Sequence, residues 1–269
     1  MNFKRTEPIK TYKNPAFQRG FLLKKLYSSF FSHFISLFGC TKPNHKDLLL
    51  NKLIAEKSEY DGYLIDRPNG LHRMQGYTQT DSSFGIIAVH GYYPSDWPTK
   101  GFEWVVPMKD FAQLERPVWW FRHNWFDCPD SSIAYLKSQI ETLIHHNHHL
   151  DSLWVIGHSL GGLIVSSFAE QWDNDFPVTV HAIAAPLKGM SRQLDECEPK
   201  ERNIYLINKS VRYIQWRTDY KQDGAFKHLE KDPQDVILKN GKYVLLPKTW
   251  NERRLGHTLS IQWVMDQLH

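Results

Sequence analysis

The chain has 269 residues, 41% of them hydrophobic and 23% charged, which excludes a disordered, collagen-like or fibrous polypeptide and fits one domain with an extension. No apolar run reaches about 18 residues, so an ordinary transmembrane helix is not expected; 33 basic against 29 acidic residues is too mild a surplus to indicate a nucleic-acid partner. The three cysteines, Cys40, Cys128 and Cys197, are odd in number, far apart and in no CxxC pair, so neither a disulfide framework nor a thiolate zinc site is expected, and Cys128 reads as a thiol without a role.

The positive surplus lies at the N-terminus, where residues 1–57 carry eleven Lys or Arg against Glu7, Asp47 and Glu56. Within it, 21–38 has helical period: Leu23, Leu26, Tyr27, Phe30, Phe31, Phe34, Leu37 and Phe38 fall on one side, and lysines, serines and His33 on the other. Gly39 and Pro43 stop this helix. Three readings stay open for it: packing on the domain core, lying on an anionic membrane surface, or a secretion segment ending at Cys40. Against the last, the polar stripe is regular, the charged leader is long, and Phe38 is bulky for a cleavage box.

From residue 60 onward short apolar runs alternate with helical stretches. Segments 63–66 and 71–77 flank Pro68-Asn69-Gly70, which predicts a hairpin. Runs at 84–90 (FGIIAVH), 117–121, 153–156, 178–185 and 211–216 suit strands buried on both faces, with helices expected over 131–146, 160–172 and 260–268. Strands alternating with helices predict an α/β fold with a mostly parallel sheet. The boundaries expected are 1–59 for the basic extension and 60–269 for the globular domain.

Gly157-His158-Ser159-Leu160-Gly161-Gly162 is the sharpest motif. A bare GxSxG is weak, but here it follows an apolar strand and opens an apolar-faced helix, the setting that exposes a serine as a nucleophile at the carboxyl end of a sheet. Such a serine needs a base. His257 is the choice, because it follows the apolar run 243–246 and immediately precedes the last helix, whereas His181 falls inside a strand and His228 on a helix near 226–229. The base needs an acid. Asp223 and Asp219 both follow the strand 211–216; Asp223, before Gly224-Ala225-Phe226, is favoured, while Asp219 could cap the turn or pair with Arg217. For the oxyanion, the donors expected are the backbone N–H groups of Leu160 and of Tyr92, the latter aimed inward by unusual backbone at Gly91.

These residues resemble the α/β-hydrolase superfamily, in particular its lipase- and esterase-like serine hydrolases. The resemblance rests on VHGYY at 89–93, VIGHSLGG at 155–162, AIAAPLKG at 182–189, DGAF at 223–226 and LGHT at 255–258, and covers about residue 60 to the C-terminus. It implies the α/β-hydrolase fold, a mostly parallel central sheet flanked by helices, here with an N-terminal amphipathic helical extension. It also implies hydrolysis of carboxylic esters through an acyl-serine intermediate, without metal or organic cofactor. Acyl transfer or amide cleavage on the same residues, or a non-catalytic membrane-associated binding protein, are the alternatives. The expected partners are a small-molecule or lipid ester and a membrane surface reached through the N-terminal helix, with no nucleic acid. The expected location is the cytoplasm, peripheral on the membrane, with lipoprotein export through Cys40 as the alternative. His145, His146, His148 and His149 read as a solvated helix end rather than a metal site. Trp119 and Trp120 read as core; Tyr92, Tyr93, Trp97 and Trp104 could border the nucleophile as an apolar wall or lid, or form a satellite core.

Overall fold

The structure, a computed structural model, describes residues 47–189, 197 and 202–268. The expected amphipathic helix 21–38 and the Cys40 box lie outside these residues. Along the chain the strands are β1 (Leu48–Leu49), β2 (Gly70–Gln75), β3 (Phe84–Val89), β4 (Val118–Arg122), β5 (Ser152–His158), β6 (Val178–Ile183), β7 (Ile204–Leu206), β8 (Val211–Arg217), β9 (Ile237–Lys239), β10 (Lys242–Leu245), β11 (Thr249–Trp250) and β12 (Arg253–Arg254). The helices are α1 (Val105–Gln113), α2 (Pro129–His146), α3 (Leu160–Gln171) and α4 (Leu259–Asp266). No described helix is long and apolar enough to cross a membrane.

Eight strands form one sheet in the order β1-β2-β4-β3-β5-β6-β8-β10. β2 is antiparallel to β4, and every other pairing is parallel. β1 and β2 thus run opposite to the other six strands, and the order from β2 to β10, with β2 antiparallel to β4, is that of the α/β-hydrolase fold. The central strands are continuous apolar runs because helices cover both faces: Ile86, Ile87, Ala88 and Val89 of β3 and Val155 and Ile156 of β5 have no exposed surface. α2 and α3 pack together on one face; α1 and α4 pack together on the other. Trp104, Trp119 and Trp120 belong to the core, so Trp104 does not border the nucleophile.

Two sequence expectations are overturned here. Residues 63–66 form a turn rather than a strand, and β2 pairs with β4 instead (Gly70 opposite Arg122). The Pro-Asn-Gly signal marks the entry to β2, because the preference of a local turn is overridden by a buried partner farther along the chain. The second correction is covalent: Cys128 and Cys197 form a disulfide, with Cα atoms 5.4 Å apart across a separation of 69 residues. An odd count and wide spacing say nothing about which residues the fold brings together. Cys128 is the N-cap of α2, so the bond ties the start of that helix to Cys197, which is 9% exposed.

Closing a loop of that length constrains the unfolded chain by about 4 kcal/mol in the chain-entropy account. Peptide mapping without reductant is expected to recover Cys128 linked to Cys197, and Cys128→Ser is expected to lower the urea midpoint of the oxidised protein. Recovery of both cysteines as free thiols would contradict the pairing.

Candidate active site

Ser159 sits between β5 and α3 with φ 55° and ψ −121°, a conformation that a non-glycine residue holds only when its surroundings fix it. Its N–H donates to the Ile183 carbonyl at 2.9 Å, and its carbonyl accepts the Leu163 N–H at 3.1 Å, so β6 and α3 hold it from both sides. The tightness explains the glycine at 161: a Cβ there would lie 2.3 Å from the Val89 carbonyl oxygen. α3 thus starts hard against the end of β3. Leu160 opens the helix, and its N–H belongs to the set that finds no partner within the helix.

Gly91 faces Ser159 from the other side. A Cβ on it would stand 2.9 Å from Ser159 Cβ and 3.5 Å from Oγ. Its φ is not positive, so glycine is required here for close approach rather than for the unusual backbone expected from the sequence. A buried histidine pair fixes this loop. His90 Nε2 accepts the His123 backbone N–H at 3.2 Å, which leaves the ring proton on Nδ1, donated to the Gly91 carbonyl at 2.8 Å. His123 in turn donates from Nε2 to the His90 carbonyl at 2.9 Å and accepts the Ser132 hydroxyl on Nδ1 at 3.3 Å. Because a trans peptide points C=O and N–H in opposite directions, a held Gly91 carbonyl also fixes the direction of the Tyr92 N–H.

The loop after β8 brings Asp223 to His257. His257 Nδ1 lies 3.0 Å from the Asp223 carboxylate, whose side chain is fully buried. Asp223 also accepts the Thr218 hydroxyl at 2.6 Å and the Ala225 N–H at 2.8 Å. Burial alone would raise its pKa, but the hydrogen bond and charge of His257, with these two donors, bring it below the usual carboxylate range. Asp219 does not reach His257. Its carbonyl accepts the Gln222 and Asp223 N–H groups, shaping the turn that delivers Asp223, while its carboxylate pairs with Lys248 at 3.5 Å. Arg217 pairs with Asp235 instead.

His257 is placed by neighbours that no motif announces. His158, 3% exposed, donates from Nε2 to the His257 carbonyl at 3.0 Å, and Phe226 meets the His257 ring edge-on at 4.9 Å between centroids. Gln234, with no exposed surface, accepts the Thr218 N–H at 3.0 Å and donates to the Thr218 carbonyl at 3.1 Å, bracing the residue that holds Asp223. His228 lies among turns rather than on a helix. Ser159 and His257 open into one cavity of about 1140 Å³, walled also by Tyr92, Tyr93, Trp97 and Pro186. Among the described residues no group of three or more His, Cys, Asp or Glu is placed to hold a metal ion.

The fold is the α/β-hydrolase fold, with Ser159 at a strand-turn-helix junction between β5 and α3. No protein-family model and no curated protein matches the chain. Among solved structures it is similar to an esterase of Pyrococcus furiosus, with 14% identity over 70% of this chain and 79% of that one and a TM-score of 0.47. An α/β serine hydrolase without a lid from Xanthomonas campestris shares 15% identity over 74% and 85% of the two chains, TM-score 0.45. An α/β serine hydrolase homologue from Coxiella burnetii shares 15% over 74% and 88%, TM-score 0.42. The fold assignment rests on the strand order and its antiparallel second strand.

Burial also keeps four histidines neutral. It holds His123 at about 4, His181 at about 3, and His90 and His158 well below the ordinary histidine value. In the unfolded chain each takes up a proton near pH 6.5, so the unfolded state binds more protons below that value and stability falls as pH drops toward 4. His123 alone accounts for on the order of 3 kcal/mol across the window. Urea midpoints are expected to decline steadily from pH 7 to 4.5; a constant midpoint would contradict neutral buried imidazoles.

Proposed function

We propose that the protein is a serine hydrolase that cleaves carboxylic esters, with Ser159 as nucleophile, His257 as base and Asp223 as its acid. The observation that carries the reading is the fully buried Asp223 carboxylate hydrogen-bonded to His257 Nδ1, with His257 and the strained Ser159 walling one cavity. In this scheme Ser159 Oγ attacks the ester carbonyl carbon while His257 Nε2 takes its proton. The negative charge on the former carbonyl oxygen is held by the N–H groups of Leu160 and Tyr92 and by the positive end of α3. Collapse expels the alcohol, which leaves with the proton from His257. A water molecule activated by the same imidazole then hydrolyses the acyl-serine.

Asp223 keeps the imidazole in the tautomer that presents a lone pair to Ser159 and stabilises the imidazolium that forms. Tyr92 and Trp97 supply an apolar wall for the acyl chain. The working location in this reading is an oxidising compartment rather than the cytoplasm expected from sequence, since a Cys128–Cys197 disulfide persists where thiols are not kept reduced. The membrane-surface partner remains a proposal for the basic extension.

A fluorophosphonate probe is expected to label the wild type and to spare Ser159→Ala; labelling that ignores Ser159 would overturn the reading, and no labelling would leave only a binding scaffold. Asp223→Asn is expected to reduce kcat about 10³-fold or more, by analogy with removal of an orienting acid, while Asp219→Asn stays near wild type. The reverse ranking would reassign the acid. Across nitrophenyl esters of increasing chain length, turnover is expected to persist beyond acetate; a peak at acetate with none by octanoate would remove the apolar wall.

A further inference from the structure

Glu103, in the 3₁₀ turn Phe102–Trp104, walls the same cavity as Ser159 and His257 yet has no part in the scheme above. Tyr93 donates its hydroxyl to Glu103 Oε1 at 2.5 Å. The backbone N–H of Glu103 itself also bonds the carboxylate, while the neighbouring Tyr60 hydroxyl is committed to the Lys100 carbonyl at 2.9 Å. Among the described residues no Lys, Arg or His forms an ion pair with Glu103. His257 lies near enough for its charge to act on Glu103, but its Nδ1 is taken by Asp223 and, in the proposed scheme, its Nε2 serves Ser159.

A partly buried carboxyl with no cation paired to it is costly, and its burial holds Glu103 above the usual carboxylate range. Within the cavity the missing cation can come with the occupant. The same loop adds aromatic rings to that wall, Tyr92 and Trp97, with Phe226 also on the cavity, and such rings attract alkylammonium groups. Arg253 and Arg254 also reach the cavity, but from the exposed β11–β12 hairpin, where water screens them.

We propose that Glu103, with the rings of Tyr92 and Trp97, is a recognition site for an alkylammonium group carried by the ester. The enzyme then selects cationic esters over neutral isosteres. This rests on the ester-hydrolase reading and adds a substrate class to it.

The test uses two isosteric pairs: nitrophenyl 6-aminohexanoate against nitrophenyl heptanoate for the acyl side, and butyrylcholine against 3,3-dimethylbutyl butyrate for the alcohol side. In at least one pair the wild type is expected to favour the cation about tenfold in kcat/KM, the scale of one desolvated cation–carboxylate or cation–π contact. Glu103→Gln is expected to erase that preference while turnover of the neutral ester stays within about threefold. Equal losses on cation and neutral ester would mean that Glu103 acts through His257, and no preference in the wild type would mean no ammonium site; either overturns the proposal.

Calorimetric titration of the wild type with hexyltrimethylammonium separates the two claims. Binding of the cation but not of hexanol, weakened in Glu103→Gln, sustains the site even if no ester is turned over. Turnover of neutral esters with no cation binding leaves the hydrolase reading standing and removes the site.

Discussion

Ser159 is held in a backbone conformation that costs on the order of 1–3 kcal/mol for a residue with a side chain, and the geometry of the whole site is measured from that point. Three strands impose it together. β5 delivers the residue, the end of β6 receives its N–H through Ile183, and the end of β3 lies so close that only glycine is tolerated at 161. The strain is sustained because these strands carry deeply buried apolar runs. The elbow therefore cannot relax without disturbing the centre of the sheet, and the same crowding sets Gly91 beside it.

The other half of the site is built differently. Asp223 and His257 come from loops after β8 and before α4, and polar bonds rather than sheet packing hold them there. Thr218 and the Ala225 amide grip Asp223, Gln234 grips Thr218, and Asp219 shapes the intervening turn. His158 joins the halves: it is the residue before the nucleophile, and it donates to the main chain of His257. A buried carboxylate is tolerable only when its lone pairs are met, and here three separate donors meet them. The histidines under the Gly91 loop follow the same rule, being kept neutral and paired to backbone groups.

Much of the fold could be read from residues because β3, β5, β6, β8 and α3 are long apolar segments whose period is unambiguous. β1, β7 and β9 are two or three residues each and pair with partners distant in sequence, and the β11–β12 hairpin has only two residues per strand, so no local pattern announces them. α1 was hidden by Pro107, which falls in its first turn, where the missing N–H costs nothing. The strand-turn-helix junction at Ser159 was legible from its glycines, and the place of His257 just before the last helix from the apolar pattern that follows it. Choosing between Asp219 and Asp223 required the turn geometry, since both follow the same strand. Glu103, Gln234, His123 and the Cys128–Cys197 pairing carry no motif, and only the fold assembles their neighbours.

The hydrogen bond between His257 Nδ1 and Asp223 is the most direct point at which to test the account. Proton NMR of the ligand-free protein is expected to show a downfield, exchange-protected imidazole resonance that disappears in both His257→Gln and Asp223→Asn and survives in Asp219→Asn and Ser159→Ala. A His257 resonance that persists in Asp223→Asn but vanishes in Asp219→Asn, or none that depends on His257, would contradict the arrangement on which the proposed chemistry rests.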